Sequence, residues 1–219
     1  MKNQKDIFLN GEGDAFFTRN KKDRDMSADP LVKEINYLIE INAIKQNNHK
    51  LKILEIGCGD GQRGLYINKK LNCDYYGIDP STKAVNYCNK NGLKAFVSTA
   101  DKLPFKNDFF DVIIFGFCLY VCDRKDLKKI SSEATRVLKN KSWILIMDFF
   151  SQTIKSNSYH HFEGVKSYKC DYRKIFDKKL YTCFSHKIID HDNYCFTDIQ
   201  ENWISISSCL LYTSPSPRD

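Results

Sequence analysis

Apolar runs of strand length recur between residues 49 and 150, mostly separated by stretches of helical periodicity. This alternation constrains the fold more than any other feature. HKLKILEIG (49–57), DYYGID (74–79), LKAFVS (93–98), FFDVIIFGF (109–117) and SWILIMDFF (142–150) read as five strands. GQRGLYINKKL (61–71) reads as a helix, as does the segment capped by Ser81 that stops at Gly92. A further helix, capped by Asp123, sets Leu127, Ile130, Ala134 and Leu138 on one face. Strands and helices alternating at this interval make βαβ units. The expected fold is therefore α/β: a Rossmann-like, doubly wound, mostly parallel sheet.

The flanks are simpler. Residues 1–28 are polar with a small aromatic cluster and read as an irregular arm. Asp29-Pro30 then supplies an N-cap and a first-turn proline for an amphipathic helix over 30–45. After 150 the alternation breaks. KLYTCFSHKIID and NWISIS read as two further strands, a closing antiparallel hairpin that brings the sheet to seven. The expected organisation is one domain over 1–208: arm and helix (1–48), cofactor-binding core (49–150), substrate-side segment and hairpin (151–208). The segment Cys209–Asp219, CLLYTSPSPRD, has the sequence that a transposase-type sequencing adaptor gives when translated. It is set aside as an expected artefact, with the natural chain expected to end near Ser208 and the last strand expected to be truncated.

Composition narrows the class. The chain has 219 residues, 42% of them hydrophobic, and no apolar run nears the roughly 20 residues of a membrane span. Net charge is +7, from 27 Lys and 7 Arg spread without a basic block. Phosphate and base recognition leans on arginine forks, so this is surface charge and no nucleic-acid partner is expected. Nine cysteines include no C-x-x-C pair, so neither a zinc site nor a disulfide framework is supported. The start of the chain lacks a signal-peptide apolar region, and the expected location is the cytoplasm.

In an open parallel sheet, ligands sit beyond the carboxyl ends of the strands. Here the first strand ends in Glu55-Ile-Gly57-Cys-Gly59-Asp-Gly61, where glycines allow close backbone approach. The second ends in Asp79, twenty-two residues past Gly57, where a carboxylate can accept two ribose hydroxyls. Asp101 and Lys102 follow the third, another twenty-two on. A dinucleotide fingerprint needs G-x-G-x-x-G, but Gln62 stands where its third glycine belongs. Glu55 would repel a pyrophosphate, yet it suits a ligand carrying a sulfonium and an ammonium.

Taken together, these segments resemble a class I S-adenosylmethionine-dependent methyltransferase of the small type related to the ubiquinone/menaquinone methylases. ILEIGCGDG is similar to the family's first motif, YYGIDPS to its second acidic loop, and ADKLPFKNDFFDVIIFGFCLY to its adenine-contact and fourth-strand motifs. SEATRVLKNKSWILIMDF resembles the helix and fifth strand that follow, except that KNKSW (139–143) replaces a glycine turn. The resemblance covers about residues 51–150. It implies that Gly57, Gly59 and Gly61 lie under the methionine and ribose, with Glu55 near the methionine moiety. It gives Asp79 the ribose hydroxyls, sets Pro80 beside the adenine, and has Asp101 accept from the adenine amino group. The Lys102 backbone would approach a ring nitrogen, and Gly116 and Phe117 would line the methyl-transfer site.

Methyl transfer from a sulfonium is an in-line displacement, and a base is needed only when the acceptor must lose a proton early. No decisive base emerges. Tyr120 follows the fourth strand, His160, His161, Tyr168, Tyr172 and Arg173 follow the fifth, and the arm offers Phe16, Phe17 and Arg19. No D/N-P-P-Y/F motif of amino-directed DNA methylation follows the fourth strand, where GFCLY stands instead. The expected activity is methyl transfer to a small molecule. The alternatives are a noncatalytic binding module with the same pocket, an RNA or protein methyltransferase, and an NAD-dependent oxidoreductase, the last disfavoured by Gln62.

Overall fold

The computed structural model describes residues 3–45 and 50–212. Residues 213–219 of the segment set aside above lie outside the described residues, as do residues 46–49. The arm is not irregular. It forms α1 (Gln4–Ile7), a wide turn over Phe8–Glu12 broken at Asn10 and Gly11, and α2 (Gly13–Asn20). Its helical order comes from tertiary contacts that sequence periodicity does not record. Asn3 caps α1, the Asp123 carboxylate accepts the Gln4 N–H at 2.8 Å, and Phe17 packs against Tyr87 at 5.9 Å between ring centroids. Asp123 thus serves the arm and makes no side-chain capping bond to the helical segment that follows it.

α3 (Pro30–Glu40) begins as expected, with Asp29 accepting the N–H groups of Leu31 and Val32, and it ends five residues short of the expected 45. Then come β1 (Leu51–Ile56), α4 (Gln62–Lys70), β2 (Cys73–Asp79), α5 (Thr82–Lys90), β3 (Lys94–Val97), β4 (Phe110–Gly116), α6 (Leu127–Val137) and β5 (Leu138–Phe149). The polar stretch after β5 contains a small antiparallel ribbon, β6 (Lys155–Ser158) with β7 (Lys166–Lys169). No strand was expected there, because its alternation carries no apolar face. β8 (Tyr181–Asp190) and β9 (Trp203–Leu211) close the sheet. β9 runs past Ser208 through three residues that had been set aside, with Cys209 and Leu211 buried.

The seven strands lie in the order β3-β2-β1-β4-β5-β9-β8. β1 pairs in parallel with both β2 and β4, and β9 pairs antiparallel with β5 and β8. Strand alternation splits the core into two faces. Ile53, Val112, Ile114 and Leu145 point to the side covered by α3, α4 and α5. Leu54, Ile113, Phe115 and Ile144 point to the side covered by Ile130, Ala134 and Val137 of α6. Each fully buried aliphatic side chain contributes about 1.5–3 kcal/mol, which is why a sheet covered on both faces holds its strand ends still. Glu34 of α3 ties this frame to the closing hairpin. It is buried, accepts the Ser185 and Ser208 hydroxyls, and meets the Lys187 ammonium at 2.7 Å. Among the described residues no helix is long and apolar enough to cross a membrane.

Candidate functional site

The chain leaves β1 for one edge of the sheet and returns at β4, so the strand order reverses between them. A cavity of about 660 Å³ opens at their carboxyl ends. Of the expected cofactor residues, Glu55, Gly57, Gly59, Asp79, Pro80, Asp101, Gly116 and Phe117 line it together. Gly61 sits behind the loop as the residue preceding α4, with positive φ. Lys102 faces a separate shallow groove, and its N–H already donates to the Thr99 carbonyl at 3.0 Å.

The loop after β1 is fixed by its own amides. Gly57 and Cys58 both donate to the Ile78 carbonyl, Gly59 to Oδ2 of Asp79 at 2.9 Å, and Gly61 to the Cys58 carbonyl. A helix N-terminus binds phosphate through free N–H groups, and these four are spoken for. The missing third glycine of the dinucleotide pattern has a partial counterpart at Gly64, two residues further on. There α4 packs so closely on β2 that a Cβ would lie 2.4 Å from the Tyr75 ring.

Asp79 accepts from Gly59 with one oxygen and from the Ser81 N–H at 2.9 Å with the other. Burial pushes its carboxyl up to about 6 against the pull of those two amides. Asp101 is the opposite case. Burial raises it, but the Lys5 ammonium at 2.7 Å, the Thr99 hydroxyl and Lys129 outweigh that and hold it at about 2. Glu55 is buried with the Arg63 guanidinium and the Tyr75 hydroxyl, the latter at 2.6 Å. Burial raises its carboxyl, and Arg63 opposes the rise.

Sequence reasoning missed several groups around this cavity. Arg63 bridges Glu55 to Asp29, donating through Nε and Nη2 to the Asp29 carboxylate at 3.1 and 2.8 Å. Arg24 donates to both oxygens of Asp60 at 2.9 Å. Tyr159, Glu12 and His191 were missed too. A carboxylate followed by a helix-forming proline gives only the cap, and nothing local reveals that Asp29 and Arg63 meet.

The substrate candidates divide. Tyr120 and His161 line the cavity, as do Phe16 and Phe17 of the arm. Arg19 stands at the arm's outer side, paired with Glu12 and 3.2 Å from the Tyr159 hydroxyl. His160 is exposed in the turn between β6 and β7, off the cavity wall. Tyr168 carries the Arg124 guanidinium over its ring at 4.1 Å. Tyr172 is 1% exposed, a core residue that donates to the Tyr168 carbonyl. Arg173 is held in an ion pair with Asp171.

A sheet of this order, with an antiparallel last pair and a glycine loop latched to an acid after β2, defines a class I S-adenosylmethionine-dependent methyltransferase fold. The comparisons with known proteins agree. A methyltransferase-domain family matches residues 53–141. It is 34% identical over 113 residues to an uncharacterized protein of Methanocaldococcus jannaschii, covering 52% of each. It is 28% identical over 102 residues to a fatty-acid O-methyltransferase of Mycolicibacterium smegmatis, covering 44% of this chain and 36% of that one. The chain spans about half or less of the curated relatives that it matches first. The fold matches that of 1,6-didemethyltoxoflavin-N1-methyltransferase from Burkholderia thailandensis, solved with S-adenosylhomocysteine (TM-score 0.68, 9% identity, covering 95% of this chain and 87% of that one).

Proposed function

We propose that this protein transfers the methyl group of S-adenosylmethionine to a small-molecule acceptor. The observation that carries this is the Asp79 carboxylate. It is held by the Gly59 and Ser81 amides at the mouth of the sheet and faces a cavity large enough for a small-molecule ligand. Each of its oxygens keeps acceptor capacity for a ribose hydroxyl. The Gly57, Cys58, Gly59 and Gly61 amides are bonded within the protein, and the carboxylates of Glu55 and Asp79 beside them make an unfavourable charge for a pyrophosphate. A cofactor with a sulfonium and an ammonium fits the acidic lining without that conflict.

In this reading Gly57 and Gly59 lie against the methionine and ribose, Pro80 lies beside the adenine, and Asp101 receives the adenine amino group. When bound, the cofactor supplies an activated methyl. The chain's own residues orient it and exclude water, and bringing the reactants together lowers the barrier by many kcal/mol. The matched segment recurs in a fatty-acid O-methyltransferase and in a tRNA methyltransferase of Arabidopsis thaliana, so the acceptor is set by the rest of the cavity. Titration calorimetry with S-adenosylmethionine, S-adenosylhomocysteine and NAD tests the reading. Both sulfur compounds bind and NAD does not, and Asp79→Ala abolishes the binding. Failure of either sulfur compound to bind defeats the proposal.

A further inference from the structure

One wall of the cavity is built from rings. Phe149 is the hub, with centroids 5.3 Å from Phe117, 5.1 Å from Tyr120 and 5.2 Å from His191, while Phe117 and His191 meet edge-on at 5.6 Å. These rings come from the ends of β4 and β5, the short helical turn after β4, and the turn after β8. Phe117 stands at φ +54°, a left-handed conformation that is costly for a bulky residue, and its N–H is held by the Met147 carbonyl at 2.8 Å. Backbone strain of this kind persists where the surroundings over-determine it, commonly at functional sites. Here it sets the ring on the cavity wall.

Within that wall His191 is the side chain that carries a nitrogen lone pair able to accept a proton. Burial and nearby Asp148 push the Tyr120 phenol up, so it stays protonated. Nδ1 of His191 lies 3.0 Å from Oδ1 of Asp192, and the His191 N–H donates to the Asn202 carbonyl at 2.9 Å. A carboxylate on Nδ1 selects the tautomer whose Nε2 is free to accept. Three acids elsewhere on the lining are already answered: Asp60 by Arg24, Asp101 by Lys5, and Glu55 by Arg63. This wall of the site therefore offers a flat neutral ring contact area and a base.

We propose that the methyl acceptor is an aromatic hydroxyl compound seated against Phe117 and Phe149, and that His191 is the base that removes its hydroxyl proton. This rests on the cofactor reading above. The acceptor O–H bond breaks and its proton passes to Nε2 of His191. The oxygen electron pair forms the bond to the methyl carbon, the carbon–sulfur bond breaks with its pair left on sulfur, and the imidazolium returns the proton to water.

The test uses 4-nitrophenol, whose phenolate has its own visible absorbance, added at one fixed pH to the full chain saturated with S-adenosylhomocysteine, so that no turnover intervenes. The expected result is binding with a larger phenolate fraction than in free solution. His191→Phe keeps a ring against Phe117 and Phe149. It binds the probe but lowers the bound phenolate fraction by about threefold or more, while S-adenosylhomocysteine affinity by calorimetry is unchanged. His191→Asn gives the same loss, and because His191 is 45% exposed both variants fold. If S-adenosylhomocysteine binds but the probe does not, or if both variants show the wild-type phenolate fraction, the acceptor proposal is overturned and the cofactor reading stands. If S-adenosylhomocysteine itself fails to bind, both are overturned.

Discussion

The N–H of Gly59 donates to Oδ2 of Asp79 at 2.9 Å, so the loop after β1 and the end of β2 are locked together by the carboxylate that faces the cavity. Burial lifts that carboxyl from its usual 3.8 to about 6. An ionised Asp79 accepts hydroxyl donors better than a protonated one, so cofactor affinity should fall with acidity. By calorimetry, S-adenosylhomocysteine affinity is flat above pH 7 and about tenfold weaker at pH 5, where roughly a tenth of the group remains ionised. Asp79→Asn removes this pH dependence and binds weakly throughout. The folded value lies above the unfolded one, so the stability from this group is present below pH 4 and is lost as pH rises through 6. The stability of Asp79→Asn relative to wild type should accordingly improve by about 2–3 kcal/mol between pH 4 and pH 7, read from urea unfolding.

The placing of Asp79, Gly57 and Gly59 on one cavity wall was legible because it follows from strand ends and spacing, which a sequence displays directly. Four of the five core strands begin and end within two residues of their expected bounds, and β5 begins at Leu138, four residues before the expected 142, because the polar KNKS stretch ahead of its apolar run carries no strand signal. The arm, Arg63 and His191 were not legible. Each acquires its surroundings from residues far away in sequence, Asp123 and Asp101 for the arm, Asp29 and Glu55 for Arg63, Phe117 and Phe149 for His191. Tyr172 fails the other way. Its position after β5 suggests a substrate contact, but the hydroxyl is consumed by the Tyr168 carbonyl inside the core.

Where KNKSW replaces a glycine turn, the structure shows what the glycine would have done. Lys141 holds φ +59° at the point where pairing shifts from Phe110–Leu138 to Val112–Trp143. A left-handed lysine is strained in a way that glycine is not. Lys141→Gly should therefore stabilise the fold by about 0.5–1 kcal/mol, allowing for the freer unfolded chain. That is a rise of about 1–4 °C in Tm. Methyl transfer should be unchanged, because the turn lies at the opposite end of β5 from the cavity. A lower Tm would show that the turn is not strained.

Arg63 faces two buried carboxylates, Asp29 and Glu55. Arg63→Met leaves both uncompensated and should cost about 3–5 kcal/mol in urea unfolding at pH 7. Arg63→Lys recovers only part of this, since an ammonium cannot reproduce the two parallel bonds to Asp29. The loss should shrink toward pH 4. Burial already raises the Glu55 carboxyl, and without Arg63 it takes up a proton more readily still. A cost that is the same at pH 4 and pH 7 would mean that lost packing, not unpaired charge, dominates.

The arm is fastened over the cavity by a residue that sequence reasoning passed over. Gln4 is buried. Its N–H donates to Asp123, its side-chain amide donates to the carbonyls of Val121 and Lys166, and its Oε1 accepts the Lys166 N–H at 2.7 Å. Gln4→Ala removes the three side-chain bonds and strands three backbone groups, the carbonyls of Val121 and Lys166 and the Lys166 N–H, a local loss of about 2–3 kcal/mol. The sheet does not depend on these bonds, so the effect should be confined to the arm. Trypsin cleavage at Arg19–Arg24 should accelerate about tenfold or more in Gln4→Ala while global urea unfolding stays nearly unchanged. S-adenosylhomocysteine should restore protection, because the cavity it fills is walled by Phe8, Phe16 and Phe17 of the same arm. Cleavage at the wild-type rate would mean that the arm is held by its aromatic contacts and not by Gln4.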